Sequence, residues 1–104
     1  MPYAGTDFSP ADPTEISVYS FDFTAALGIG ETIGTAVWTI KAVVGTDATP
    51  ANRLIGTSST TGSVVSQKIG TLIQNVLYEV LCTITTSQNQ TLNLYANVFC
   101  KPIP

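Results

Sequence analysis

The sequence VLYEVLCTITTSQNQTLNLYANVFC, residues 76–100, carries the clearest structural signal in this chain. Apolar residues occupy alternate positions on both sides of a polar stretch near residues 87–90, and this period of two is that of a half-buried β-strand. The shared apolar face comprises Val76, Tyr78, Val80, Cys82 and Ile84, then Leu92, Leu94, Ala96, Val98 and Cys100. The pattern predicts an antiparallel hairpin that buries its even-numbered residues.

The register of this hairpin determines whether the two cysteines can meet. Both even-numbered sets share a face only if the loop has an odd number of residues, and a three-residue loop at 88–90 satisfies this condition. That loop places Cys82 opposite Ala96 and Tyr78 opposite Cys100. The two cysteines are then roughly 13 Å apart along the ladder, whereas a disulfide needs Cα atoms within about 7 Å. We expect two free, buried thiols, as in a protein that folds in a reducing cytosol.

Two segments upstream show the same alternation. Residues 16–23 are rich in β-branched and aromatic residues, with three aromatic side chains at alternate positions, and they predict a strand. Residues 31–44 predict a longer strand in which Trp38 faces the interior. Gly34, near the start of that strand, marks a bulge or a bend between two shorter pieces.

The remaining segments predict turns and weaker strands. Residues 24–30 predict a loop or a single helical turn around Leu27, and residues 45–52 are rich in turn-forming residues and predict a loop. Residues 53–57 predict one short strand, residues 58–62 a polar turn, and residues 63–72 a strand whose alternation is imperfect.

About six short strands with no amphipathic helix predict an all-β domain, and the first choice of fold is an immunoglobulin-like β-sandwich. A small Greek-key β-barrel is the alternative. The chain has 104 residues, of which 44% are hydrophobic, enough for one compact core. We expect an extended N-terminal arm over residues 1–15 and a single β-sandwich domain over residues 16–104.

The arm is distinguished by its prolines and its isolated aromatic residues. Three of the six prolines fall within the first 13 positions, which favours extended backbone. Tyr3 and Phe8 are large apolar anchors in this polar segment. They can dock on the arm's own domain or on a neighbouring subunit, and docking on its own domain is favoured.

The low charge of the chain excludes several classes of function. Charged residues make up 11%, with four Lys and Arg against seven Asp and Glu, and there is no histidine. This composition argues against a nucleic-acid partner, histidine-based acid–base catalysis and a zinc site with histidine ligands. No apolar run approaches the length of a membrane span, so no membrane partner is expected. We predict no metal and no cofactor.

The acidic residues and the glycine-rich loop have structural interpretations. Asp22 and Glu31 could form a carboxylate pair of the glycosidase type, but local hydrogen bonding at a strand end is the favoured role for Asp22. The scattered aspartates match no calcium loop. The loop at residues 28–30 lacks the following helix of a phosphate cradle and is interpreted as a turn that needs positive φ. We therefore predict no catalytic residues.

The aromatic residues suggest where the chain makes contacts. Trp38 and Tyr78 fall on inward-facing positions and are predicted to belong to the core. Tyr95 and Phe99 fall on the outward face of the last strand. Together with Tyr3 and Phe8 of the arm, they are the predicted interface residues. A carbohydrate-binding or adhesion module, with Trp38 or Tyr95 on an exposed platform, is the rival interpretation.

Five features of the sequence belong together: VYSFDF at residues 18–23, LGIGETI at residues 27–33, Trp38, LYEV at residues 77–80 and TITTS at residues 83–87. In these features the chain resembles small virion proteins of tailed bacteriophages, namely fibre-tail adaptors and related neck or head accessory proteins. The resemblance extends over roughly residues 16–99.

The resemblance implies a non-enzymatic structural protein of the virion, present as a homo-oligomer or in many copies and assembled in the bacterial cytoplasm. Its implied partners are other virion proteins, such as capsid, portal, tail or fibre, which it contacts through sheet edges and its arm. The expected function is that of a tail or fibre adaptor or a head–tail accessory protein that acts through protein–protein assembly, with capsid decoration as the alternative.

Overall fold

The structure is a computed structural model that describes residues 3–4 and 7–102. Its strands are β1 (Ile16–Asp22), β2 (Ile33–Val44), β3 (Leu54–Thr61), β4 (Val64–Gly70), β5 (Leu77–Thr86) and β6 (Thr91–Phe99). A short 3-10 helix, Pro50–Arg53, precedes β3. The strands form two three-stranded antiparallel sheets with the orders β1-β4-β3 and β2-β5-β6. The prediction of an all-β fold is confirmed.

The two sheets pack against each other around one apolar core. Phe21 of β1 stacks on Trp38 of β2 with ring centroids 5.2 Å apart, a contact that crosses from one sheet to the other. Trp38 is 6% exposed, and Tyr78, Cys82 and Cys100 are fully buried. The predicted core positions of all four residues are confirmed, because the period of two correctly separated inward from outward side chains.

The β5–β6 hairpin differs from the prediction by one residue in its loop. The Thr86 N–H donates to the Gln90 carbonyl at 2.9 Å, so the loop is residues 87–89 and not 88–90. Asn89 adopts φ 59°, the left-handed conformation required at the last position of a three-residue hairpin loop and well tolerated by asparagine. An odd loop length is retained, and the predicted inward face therefore survives the shift.

The corrected register changes the partners of both cysteines but not their state. Cys82 lies opposite Leu94 instead of Ala96, and the Cys100 N–H donates to the Val76 carbonyl at 3.0 Å. The cysteines are thus separated by six positions along the ladder, about 20 Å at the usual strand rise. Both are free thiols, as predicted.

The turn predicted at residues 58–62 is wrong, because most of this segment continues β3. Ser59, Thr60 and Thr61 pair with β4, and β-branched threonine suits an extended strand. The chain reverses at residues 62–63 instead. Gly62 has φ 60°, the positive value that a tight hairpin turn needs at its first central position.

Strand β2 is interrupted at both ends. Its register with β5 shifts between Ile33 and Thr35, which confirms the bulge predicted at Gly34. A second shift lies between Ala42 and Val44. Val44 has the same parity as the inward-facing Trp38, and strict alternation would bury it. Its side chain is nevertheless 57% exposed, since the extra residue of a bulge reverses the facing of the residues after it.

A buried polar cluster ties one end of the sandwich together. The Tyr78 hydroxyl donates to the Asp47 carboxylate at 2.7 Å and accepts the Ile73 N–H at 3.1 Å. The Arg53 Nε lies 3.2 Å from the same carboxylate, which is almost completely buried. Desolvation opposes ionisation of Asp47, but hydrogen bonds from Tyr78 and Thr49 and the charge of Arg53 hold its pKa below the usual value.

The same cluster holds a residue with unusual backbone geometry. Thr71 has φ 54°, a left-handed conformation that a β-branched residue rarely adopts. The Arg53 guanidinium donates to the Thr71 carbonyl and so fixes this part of the connection between β4 and β5.

Candidate interaction surface

The N-terminal arm lies along the free side of β6 and runs parallel to it. Within the described residues, backbone hydrogen bonds join the arm to β6 and to Lys101, two residues beyond it. They run from Ala4 N–H to Tyr95 O (2.8 Å), Phe8 N–H to Asn97 O (3.0 Å), Ala11 N–H to Phe99 O (3.0 Å) and Lys101 N–H to Ala11 O (2.8 Å). These bonds give β6 a neighbour on the side away from β5. The arm therefore protects this edge from pairing with other chains.

The spacing of these bonds is irregular. Between the bonds of Ala4 and Phe8 the arm advances four residues while β6 advances two. Asp7 lies in this interval, and its carboxylate accepts the Asn97 N–H at 3.1 Å and the Tyr3 hydroxyl at 2.8 Å. A side chain thus supplies an acceptor where a regular strand would offer a carbonyl.

Both aromatic anchors of the arm contact the arm's own domain. The Phe8 ring lies 4.8 Å from the Tyr19 ring and 5.4 Å from the Phe21 ring, measured between centroids. The Tyr3 ring lies 5.3 Å from that of Tyr95. This is the own-domain packing that the sequence favoured.

The predicted interface residues lie in different environments. Tyr3 is 43% exposed and Phe99 is 37% exposed, whereas Phe8 and Tyr95 are partly buried. Tyr95 is covered by Tyr3, and Phe8 fills the space beside β1. The structure brings Tyr3 and Tyr95 together and places Phe99 further along β6. A contact role for these residues stays a prediction.

Sequence reasoning missed two leucines on the same surface. Leu81 lies opposite Tyr95, and Leu77 lies opposite Phe99, so both leucines face outward from the sheet. We call the surface formed by Tyr3, Leu77, Leu81, Tyr95 and Phe99 the outer face. The two leucines could have been recognised from the sequence, because they are apolar at odd-numbered positions, which face outward in the alternating stretch.

An ion pair borders the outer face, in addition to the Asp7 carboxylate that accepts the Tyr3 hydroxyl. Lys41 of β2 lies opposite Glu79 of β5, with the Lys41 Nζ 3.6 Å from a Glu79 carboxylate oxygen. These two residues, with Leu81, line a shallow groove of about 180 Å³. The combination of apolar residues, aromatic rings and few charges is typical of a protein contact surface.

The two carboxylates considered as a catalytic pair both hold local structure. Asp22 accepts the Thr24 N–H at 2.9 Å and the Thr24 hydroxyl, and these bonds lower its pKa. Glu31 accepts the Gly28 N–H at 2.8 Å and the Thr86 hydroxyl, which lower its pKa in the same way. The predicted role of Asp22 as a hydrogen-bonding residue at a strand end is confirmed.

The buried thiols have little nucleophilic character. Desolvation raises the pKa of Cys82 to about 12 and also raises that of Cys100. Thiolate is the reactive form, so neither thiol is activated at neutral pH.

Neither a metal-binding cluster nor a membrane-spanning helix is found in the described residues. Residues 3–4 and 7–102 contain no cluster of three or more acidic or cysteine side chains suited to hold a metal ion. Within the same ranges, no helix has the length and apolar character required to cross a bilayer.

Comparison with known proteins identifies a family. A family model described as "Podophage GP4 fiber-tail adaptor protein gp77" matches residues 11–97. Neither the curated proteins nor the solved structures include a match to this chain. The matched residues begin at Ala11, which is buried against β6, and continue through β1–β5 into β6. The match confirms the resemblance seen in the sequence, and the chain belongs to the podophage GP4 fiber-tail adaptor protein gp77 family.

Proposed function

We propose that this protein is a non-enzymatic structural component of a phage virion that joins tail and fibre proteins through protein–protein contacts. The observation that carries the proposal is the family match over residues 11–97, which spans most of the sandwich. Membership of this family implies a structural protein of the virion that interacts with other virion proteins, such as tail and fibre. The adaptor works by burying surface between larger partners.

The outer face is the surface we assign to these contacts. Tyr3 and Phe99 are more than one-third exposed, and the leucines beside them extend the apolar area. Aromatic residues are enriched at protein interfaces because one rigid side chain buries a large area. In this proposal Tyr3, Tyr95 and Phe99 touch the partner, while Phe8 seats the arm against Tyr19 and Phe21.

We further propose that the sandwich is immunoglobulin-like. The strand orders β1-β4-β3 and β2-β5-β6 correspond to strands B-E-D and C-F-G of that fold. A buried tryptophan on the second strand, Trp38, agrees with this assignment. So does Tyr78 near the start of the fifth strand, whose hydroxyl bonds back to the Ile73 N–H.

The arm and the sandwich make separate contributions in this proposal. Residues 1–15 form the arm and residues 16–104 the domain; residues 1–2, 5–6 and 103–104 lie outside the described part of the chain. Two free, buried thiols support folding in the reducing cytoplasm of the host. In this proposal many copies of the protein are built into the particle there.

The test is to locate the protein in the particle and to alter the outer face. We expect antibody labelling and electron microscopy to place it at the junction of tail and fibre. We expect purified tail or fibre protein to bind the wild-type chain and to bind Phe99→Ser at least about tenfold more weakly, because Phe99 is an exposed aromatic anchor. Ile29→Ser is the matched control, since Ile29 is a fully exposed apolar residue in a loop.

Two results would contradict the adaptor function. Density at the capsid surface would favour capsid decoration, and hits on a glycan array would favour a carbohydrate-binding module. The buried position of Trp38 already removes the indole from any exposed sugar platform.

A further inference from the structure

The four outermost strands of the two sheets are protected to different degrees. Natural proteins cover a sheet edge or interrupt it with bulges, prolines or lysines, because its unpaired backbone groups recruit other strands. Within the described residues, the arm covers β6. Strand β2 has two register shifts, and β3 has one between Ile55 and Ser59. Strand β1 pairs with β4 without a shift and contains neither proline nor lysine.

The backbone of β1 presents hydrogen-bonding groups on its open side. The Phe23 N–H, just after β1, donates to the Ser63 carbonyl at 2.8 Å. Because facing alternates along an antiparallel strand, the backbone groups of Val18, Ser20 and Asp22 point away from β4. In the described part of the chain, no second strand pairs with β1.

Side chains beside this edge also suit an added strand. Ile16 is 53% exposed and Val18 is 62% exposed, although both belong to a regular strand. A groove of about 220 Å³ lies further along, lined by Ser20 and Asp22 of β1 and by Phe8 of the arm, among others. An incoming segment would therefore meet apolar side chains at one end of β1 and a mixed groove at the other.

The charge distribution identifies the kind of segment. Glu15 precedes β1 and Asp22 ends it, and no lysine or arginine occurs before Lys41. Lys68, opposite Val18 on β4, is the cation on the neighbouring strand. If two copies paired β1 with β1 along its full length in the antiparallel sense, Glu15 of each would lie beside Asp22 of the other. In that register Asp22 faces Ile16, one position from Glu15, so each end of the ladder gathers two acids and no cation. This like-charge repulsion disfavours a second copy.

We propose that the open edge of β1 is a strand-addition site for an extended segment of another virion protein, with apolar residues at alternate positions and Lys or Arg near both ends. Backbone hydrogen bonds to Val18, Ser20 and Asp22 hold the segment, and ion pairs with Glu15 and Asp22 select it. This proposal rests on the adaptor function, to which it adds a binding edge separate from the outer face.

The first experiment uses two synthetic probes and the full-length ¹⁵N-labelled chain. One probe is a peptide of alternating valine and threonine with a lysine at each end, and the other has glutamate at both ends. We expect the lysine peptide to shift the NMR signals of the Val18, Ser20 and Asp22 amides and to slow their hydrogen exchange. The glutamate peptide should bind about tenfold more weakly or not at all, since two attractions become repulsions.

Variants test whether β1 is the edge that binds. Val18→Lys places a charge on the open edge and should abolish binding of the lysine peptide. Ser59→Lys adds the same charge to β3, at the other edge of this sheet, and should leave binding unchanged. Shifts confined to another edge, equal binding of the two peptides, or dimers of the free chain that Val18→Lys dissociates would overturn the proposal.

Hydrogen exchange in intact particles gives an independent readout that needs no variant. The amides of Val18, Ser20 and Asp22 should exchange more slowly in the virion than in the isolated protein. If the protein is at the tail–fibre junction but these amides exchange equally fast in both states, the strand-addition site is wrong and the adaptor function stands. If the protein is absent from particles, the adaptor function itself fails and the site loses its partner.

Discussion

Removing one hydroxyl from the buried polar cluster should cost more stability than its size suggests. Tyr78→Phe deletes the group that donates to Asp47 at 2.7 Å and accepts the Ile73 N–H at 3.1 Å. A hydrogen bond to a charged group contributes about 1.5–3 kcal/mol, and an unsatisfied buried N–H costs about 1 kcal/mol or more. Tyr78 is fully buried, whereas Ile73 is 39% exposed, so the expected loss is that of the charged hydrogen bond alone, about 2 kcal/mol.

The effect should depend on pH in a defined direction. The pKa of Asp47 is lowered in the folded state, so its stabilising contribution is present above the ordinary value of 3.8 and is lost as the pH falls through the lowered pKa. The pKa of Tyr78 is raised from 10.0 to about 12, chiefly by burial. Titration of Tyr78 should therefore lower the free energy of unfolding of the wild type between pH 10 and 12, by up to about 1.4 kcal/mol per pH unit. Tyr78→Phe should not show this decline.

The measurement is urea unfolding followed by Trp38 fluorescence at several pH values. Tyr95→Phe is the control, because no hydrogen bond to the Tyr95 hydroxyl is found in the described residues and its loss should cost under about 0.5 kcal/mol. Equal losses for the two variants at neutral pH, or a difference that persists unchanged at pH 2, would show that the Asp47–Tyr78 bond does not stabilise the fold as argued.

Three further outcomes test other parts of the structure. Phe8→Ala should lower the free energy of unfolding by about 2 kcal/mol, roughly half the cost of truncating a fully buried phenylalanine, because Phe8 is half-buried. Guanidinium unfolding measures this loss, and a loss near zero would mean that the arm does not pack on the domain. Thr71→Asn should stabilise by about 0.5–1 kcal/mol in thermal unfolding, since asparagine tolerates the left-handed φ, whereas Thr60→Asn in extended β3 should destabilise. Cys82 and Cys100 should resist a thiol reagent at pH 8 in the native protein and react fully in denaturant; rapid native labelling would contradict their burial.

The faces of the strands could be predicted, because alternation with period two survives small errors in the loops. Residues 87–90 are all polar, and alternation alone does not distinguish a loop at 87–89 from one at 88–90. The choice depends on which residue accepts a left-handed backbone, and Asn89 does so. An error of one position changed the cross-strand partners of Cys82 without changing its burial.

The interaction surface was harder to predict, because its parts come from distant segments. The sequence identified Tyr3 and Tyr95 separately, but it contained no signal that the arm runs parallel to β6 and brings their rings together. The outward leucines were overlooked because buried even-numbered neighbours dominate the same stretch. Whether β1 has an open edge depends on where all the other strands pair, and no local sequence pattern specifies that.

The ring of Phe21 touches both Phe8 of the arm and the indole of Trp38. Trp38 is the single tryptophan in the chain. A displacement of the arm would therefore disturb Phe21 and, through it, the surroundings of the Trp38 indole, which is the protein's natural fluorophore. Detachment of the arm during particle assembly would alter the emission of an unlabelled protein, so the seating of this segment can be followed in real time by optical spectroscopy.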